Sequence, residues 1–183
     1  MIDFQDIDYD EEIVKDIINI GNSCGVIVCY FLSLIYNFKF DIEEFRNIGD
    51  GLTPNKIRAY AKNNGVNSIA APDSKHTYSC CYSNYKLLAE NNICVTLSGS
   101  NINNNESHIS ILTDFDKKTF SQLFCNSDDC ISKYDEVVDL YLVFFYKDCD
   151  INKHVKFKRK TVFDNFIDFL KHLLGFSKHT NKY

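Results

Sequence analysis

Eleven residues, Val26 to Tyr36, run apolar with almost no polar relief, and this segment constrains the chain more than any other. A helix that is apolar nearly all round is buried on every side, so the rest of the molecule must wrap it. The run is preceded by "NIGNSC", small polar residues and a glycine ending on a thiol. Asn22 or Ser23 can serve as the N-cap, which starts the helix at Cys24. A chain of 183 residues, 45% hydrophobic and 14% aromatic, has the material for one core around such a helix. No apolar run reaches the length of a membrane span. The N-terminal "MIDFQDIDYDEE" is acidic where a signal peptide needs a basic start, so a cytoplasmic protein is expected.

Around this segment the pattern is helical first and extended later. "DEEIVKDII" reads as a short amphipathic helix with Ile13, Val14, Ile17 and Ile18 on one side. "FDIEEF" carries Asp41 and Glu44 in a capping-box relation. "LTPNKIRAYAKNNG" reads as a helix with Thr53 as N-cap and Pro54 at the first position. Ile57, Tyr60 and Ala61 share its face, and Gly65 ends it. After Gly65 come β-branched and aromatic runs at 91–99, 108–115, 119–124 and 137–146, bounded by Asn, Asp, Gly and Ser. Between the first two, "SNINNNES" (100–107) is polar enough for a mobile surface loop. Residues 161–175 return to helical spacing, with large apolar residues from Val162 to Leu174. Helices, then an antiparallel sheet, then a helix make an α+β fold. The expected division is 1–152 as the main domain, and 153–183 as a basic segment and amphipathic helix packed on it.

Charge and cysteine usage narrow the function. The net charge of −5 divides into +6 over residues 153–183 and −11 over the remainder. An acidic body is a poor nucleic-acid surface. The basic "KHVKFKRK" is read as a solvated charge run, and docking on a membrane surface is disfavoured. Of eight cysteines, several lie in apolar runs such as "VIVCYF" and "NNICVTL", where cysteine acts as a small buried hydrophobe. Mostly free thiols are expected. Cys80-Cys81 and Cys125-x4-Cys130 lack the paired knuckles of a zinc site, so neither metal nor cofactor is expected.

Cys24 is the exception to burial. A thiol on the first turn of a helix sits at the positive end of the dipole, which favours thiolate. A nucleophile also needs a base oriented by a carboxylate or carboxamide. Of the five histidines, His108 opens a strand directly after the polar loop, 84 residues beyond Cys24. His76, His154, His172 and His179 lie in polar or basic stretches. If the strands at 108–115 and 119–124 form a hairpin turning at 116–118, the residue opposite His108 falls at 125–127. Of Cys125, Asn126 and Ser127, Asn126 alone carries a side-chain carbonyl for the imidazole N–H. Asp128 is the next candidate, and Asp114 and Asp116 are less well placed.

This order of residues resembles the papain-like cysteine peptidases, and in detail their bacteriocin-processing branch. "NSCGVIV" is similar to that branch's Asp-Cys-Gly segment, and "GLTPNKIRAYAKNNGV" to its second helical motif. "NNICVTLSG" followed by "HISILTDFD" is similar to its strands before and at the catalytic His. The similarity covers about residues 15–127. It implies a nucleophile helix buried against an antiparallel sheet, and a triad of Cys24, His108 and Asn126. The sequence departs from the pattern at two places. Ile18 stands where the family places an oxyanion-donating Gln, with Asn19 one residue later as a substitute. The usual triad carboxylate or carboxamide position falls on Phe124, so Asn126 requires a longer hairpin.

The expected function is a thiol-dependent hydrolase acting on a peptide or side-chain amide of a protein substrate, as a peptidase or a glutamine deamidase. The alternative is a papain-like binding module without catalysis.

Overall fold

The computed structural model describes residues 2–155, apart from 4, 5, 22, 48–50, 72–73, 75–76, 78–84, 102–106, 116–118, 123–130 and 134–136. The architecture is α+β. Helix α1 (Glu11–Ile20) is capped by Asp10, whose side chain accepts from the Glu12 N–H. Helix α2 spans Cys24–Tyr36. A single 3-10 turn, Ile42–Phe45, follows on the cap of Asp41, and helix α3 spans Pro54–Asn63. The remaining elements are β1 (Asn67–Ala70), α4 (Tyr85–Glu90), β2 (Cys94–Asn101), β3 (Ser107–Phe115), β4 (Thr119–Gln122), β5 (Ile131–Lys133), β6 (Val137–Tyr146) and α5 (Ile151–His154).

The strands form one sheet in the order β1-β6-β2-β3-β4-β5, every described pairing antiparallel. The apolar runs of β2 and β6 are explained by two covered faces. Cys94, Val143 and Phe145 point into a core with α1, α2 and α3. Val95, Leu97, Leu142 and Phe144 point into a second core with Leu88 of α4, Ile151 of α5 and Val155. Alternation along a strand sends successive side chains to opposite faces, so a strand with two dry faces shows no polar beat in its sequence. Each large side chain fully covered in this way contributes about 1.5–3 kcal/mol.

Helix α2 is the centre of the first core. Val26, Val28, Cys29, Tyr30, Phe31, Leu32 and Tyr36 are buried, while Ile27, Leu34 and Ile35 pack at its margin. The Tyr30 hydroxyl accepts the Asp10 N–H at 2.8 Å, which ties the start of α1 to the middle of α2. Gly21, at φ 77°, makes the left-handed turn between the two helices. Gly25 sits where the loop before α3 crosses α2, and a Cβ there would lie 2.6 Å from Leu52 Cβ.

One sequence expectation differs in detail. Ile18 is not on the buried side of α1: Val14 and Ile17 are buried, whereas Ile18 is 40% exposed. The buried stripe is narrow here because α1 touches the core along one ridge. Val155, the last described residue, belongs to the second core, and the rest of the expected 153–183 segment beyond it lies outside the described residues. The C-terminal helix expected at 161–175 lies outside the described residues, as does most of the polar loop at 100–107. No described helix is long and apolar enough to cross a membrane.

Candidate active site

The site is built where α2 begins beside the start of β3. Cys24 is the first residue of α2, preceded by Ser23 at the cap position. Ser23 has a helical backbone and makes no side-chain cap bond, so the hydroxyl does not close the first turn. Asn22, the other cap candidate, lies outside the described residues. The sulfur takes up some of the donors that a cap would otherwise satisfy.

His108 is the second residue of β3 and stands opposite Gly99 of β2. Its side chain interacts with that of Cys24, and both residues line one cavity. Burial pushes the Cys24 thiol up, and four interactions outweigh it. They are the hydrogen bond with His108, the backbone N–H of Ile109, the charge of His108 and the backbone N–H of Gly25. The net effect holds the thiol below its ordinary range. Helix-terminal amides and a neighbouring imidazole are the physical means by which a protein stabilises thiolate.

The other described cysteines lack this environment. Cys29 and Cys94 are buried, and burial alone raises their thiols. Cys149 is half-buried, and burial together with Asp150 and Asp148 raises it. All four are free. Among the described thiols Cys24 alone is held below its ordinary range.

Cys24 and His108 open onto a cavity of about 550 Å³. Leu52, Thr53 and Pro54 line it from the start of α3, and Ser98 and Gly99 from β2. Asp139 of β6 also lines it. Nothing in the sequence marks Asp139 as part of the site. It enters through the pairing of β6 with β2, which brings together residues some forty positions apart.

The structure thus brings Cys24 and His108 together in one cavity. Asn19 is exposed on the last turn of α1 and does not line the cavity. Asn126 and Asp128 lie outside the described residues, as does His76. The hairpin itself runs as expected, with β3 ending at Phe115 and β4 beginning at Thr119. Leu112 stands opposite Gln122, four residues from His108 on one strand and four from Asn126 on the other. Asp114 pairs with Ser121 near the far end of that hairpin, six residues along β3 from His108. Among the described residues no group of three or more His, Cys, Asp or Glu could hold a metal ion.

Comparison of the sequence with protein-family models and with curated proteins returns no match. The family resemblance rests on the motifs alone.

Proposed function

We propose that the chain is a thiol-dependent hydrolase of papain-like type, acting on an amide bond of a protein or peptide. The observation that carries this reading is the meeting of Cys24, at the first turn of a buried helix, with His108 in one cavity, the thiol held below its ordinary range. The element order supports the papain-like part: a nucleophile helix packed on an antiparallel sheet, with His108 opening a strand.

In the proposed reaction His108 holds the thiol proton and the Cys24 thiolate attacks the amide carbonyl carbon. A carbon–sulfur bond forms and an oxyanion develops on the carbonyl oxygen. The backbone N–H groups at the start of α2, which have no partner within the helix, are the proposed donors to that charge. The tetrahedral adduct collapses, the carbon–nitrogen bond breaks, and the leaving amine takes the proton from His108. Water then attacks the thioester, gives its proton to His108, and the carboxylate leaves as the thiolate is restored. Asn126 is the proposed partner of the imidazole, with Asp128 and Asp114 as the alternatives. The hairpin register supports Asn126 over Asp114. Oxyanion donation by Asn19 has less support, because that residue is exposed and off the cavity.

A second reading, a binding module without catalysis, is favoured by one observation. Ile18 holds the position of the family's oxyanion-donating Gln and is itself 40% exposed. Loss of such a donor costs about 2.7–4 kcal/mol of transition-state stabilisation. Alkylation with limiting iodoacetamide at neutral pH, followed by peptide mapping, separates the two. A hydrolase gives rapid, selective modification of Cys24 over Cys29, Cys94 and Cys149. Slow labelling without preference for Cys24 rejects it. With a hydrolysed protein substrate in hand, new chain ends mark a peptidase and released ammonia marks a deamidase.

A further inference from the structure

One wall of the cavity takes no part in the proposed hydrolysis. Strand β6 enters it at Asp139, whose backbone is left-handed at φ 53°. The ladder is irregular there: Ser98 stands opposite Tyr141, but Ser100 stands opposite Val138. Strand β6 therefore carries one residue more than β2 between those pairs, a bulge facing Gly99. A Cβ on Gly99 would collide with Val137 Cγ1 and lie 2.9 Å from Val138 O. The close approach of the strands thus depends on that glycine. Aspartate is among the few residues that accept the left-handed region readily. The bulge sets Asp139 apart from its neighbours on the strand, and this exposed residue lines the same cavity as Cys24 and His108.

The charge of Asp139 is not used elsewhere among the described residues. The described ion pairs join Lys15 with Glu12, Arg46 with Glu43 and Lys153 with Asp150. No other carboxylate lines the cavity among the described residues. The hydroxyls of Ser100 and Ser107, also in its lining, satisfy each other at 2.9 Å. A volume of about 550 Å³ is that of a site for a small group or a few residues of peptide.

The geometry points to Asp139 as a specificity-determining residue that receives a cationic side chain, Lys or Arg, of the peptide whose amide Cys24 attacks. This rests on the hydrolase reading. The carboxylate pairs with the ammonium or guanidinium, and the guanidinium matches it with two parallel hydrogen bonds. A substrate with an acidic side chain at that position meets a like charge and is rejected.

The test uses N-acetylated dipeptidyl chloromethyl ketones carrying Arg, norleucine or Glu at the first or second residue from the reactive carbon. The readout is the rate of Cys24 labelling by the full chain. At one of the two positions Arg is expected to label about fivefold faster than norleucine, the size of one well-placed exposed ion pair, with Glu slower than both. The Arg advantage should shrink as salt is raised toward molar. In Asp139→Asn the Arg-to-norleucine ratio should fall toward one. Asp139→Gly, which also suits the left-handed backbone, should do the same and serves if the Asn variant does not fold. Equal Arg and norleucine rates in the unaltered chain overturn the inference, and so does an Arg advantage that survives both variants. Norleucine probes with a free N-terminus supply a further arm. If the Asp139-dependent preference follows the free α-amine in place of Arg, the side-chain assignment is wrong. Failure of the hydrolase reading looks different: no probe labels Cys24 faster than Cys149, and this inference falls with it.

Discussion

The two ends of α2 are built for opposite purposes. At its start Cys24 is half-buried, the Ser23 side chain makes no cap bond, and Cys24 lines a cavity beside His108. At its end Tyr36 is buried and its phenol joins backbone groups of two strands. The Tyr36 hydroxyl donates to Phe145 O at 2.6 Å, accepts from the Cys94 N–H at 3.1 Å, and lies 3.0 Å from Asn92 O. Burial drives the phenol far above its ordinary range, so it stays protonated and keeps donating. One end is pinned, and at the other His108 and backbone N–H groups hold the thiol below its ordinary range. The proposed nucleophile would need a fixed position and an unmet electrostatic environment, and one helix can supply both by dividing them between its ends. Cys29, between them, shows what the same residue does without that environment: it is buried, and burial raises its thiol.

The strongest way to break this contrast is Cys24→Ala. Turnover of a protein or peptide substrate should fall by about a thousandfold or more, as for other nucleophile deletions. Thermal stability should change little, because the change is small and the position half-buried. A rate near that of the unaltered chain would remove the functional end from the comparison.

Tyr36→Phe tests the pinned end. It leaves buried Phe145 O and Cys94 N–H without the phenol and should cost about 2–3 kcal/mol in urea unfolding. Alkylation of Cys24 in the folded variant should keep its rate. Loss of that rate together with stability would mean that the two ends are not separate.

Cys29→Ala sharpens the comparison within one helix. Removal of a buried sulfur from the core should cost about 1–2 kcal/mol and leave the Cys24 alkylation rate unchanged.

The smallest effects are those of pH. The folded chain lowers the Cys24 thiol, so ionisation there contributes stability above the unfolded thiol's range, and this is lost as pH falls through the folded value. Cys29 has the opposite sign. Its folded thiol is raised, so stability falls once pH exceeds the unfolded thiol's range, where the unfolded chain gives up a proton that the native one keeps. Unfolding titrations of Cys24→Ala and Cys29→Ala against the unaltered chain should show these slopes removed one at a time. The alkylation rate of Cys24 should have its midpoint below that of a free thiol, and His108→Gln should move it upward. A midpoint unmoved by that change would show that the imidazole does not stabilise the thiolate.

Much of this arrangement was legible in residue order. The start of α2 at Cys24, the Thr53 cap with Pro54 after it and the antiparallel pairing of β3 with β4 all depend on neighbours within a few positions. Caps, turns and apolar periods act over that range. Other features were not legible. "NSIA" at 67–70 is half polar and becomes a strand only because β6 offers it a partner. Nor does the run in β6 reveal that its two faces enter different cores, since two dry faces and a buried helix look alike in composition.

The sequence by itself determined a helix too apolar to leave water on any side, a thiol at its first turn, and a histidine at the start of a strand. Those follow from the chemistry of adjacent residues. Only the tertiary structure decided that the sulfur meets the imidazole, that Ile18 turns outward, and that Asp139 faces the same cavity. Each of these depends on which strand pairs with which and in what register. The one-residue bulge opposite Gly99 is a property of two segments forty residues apart, and local propensity carries no record of it.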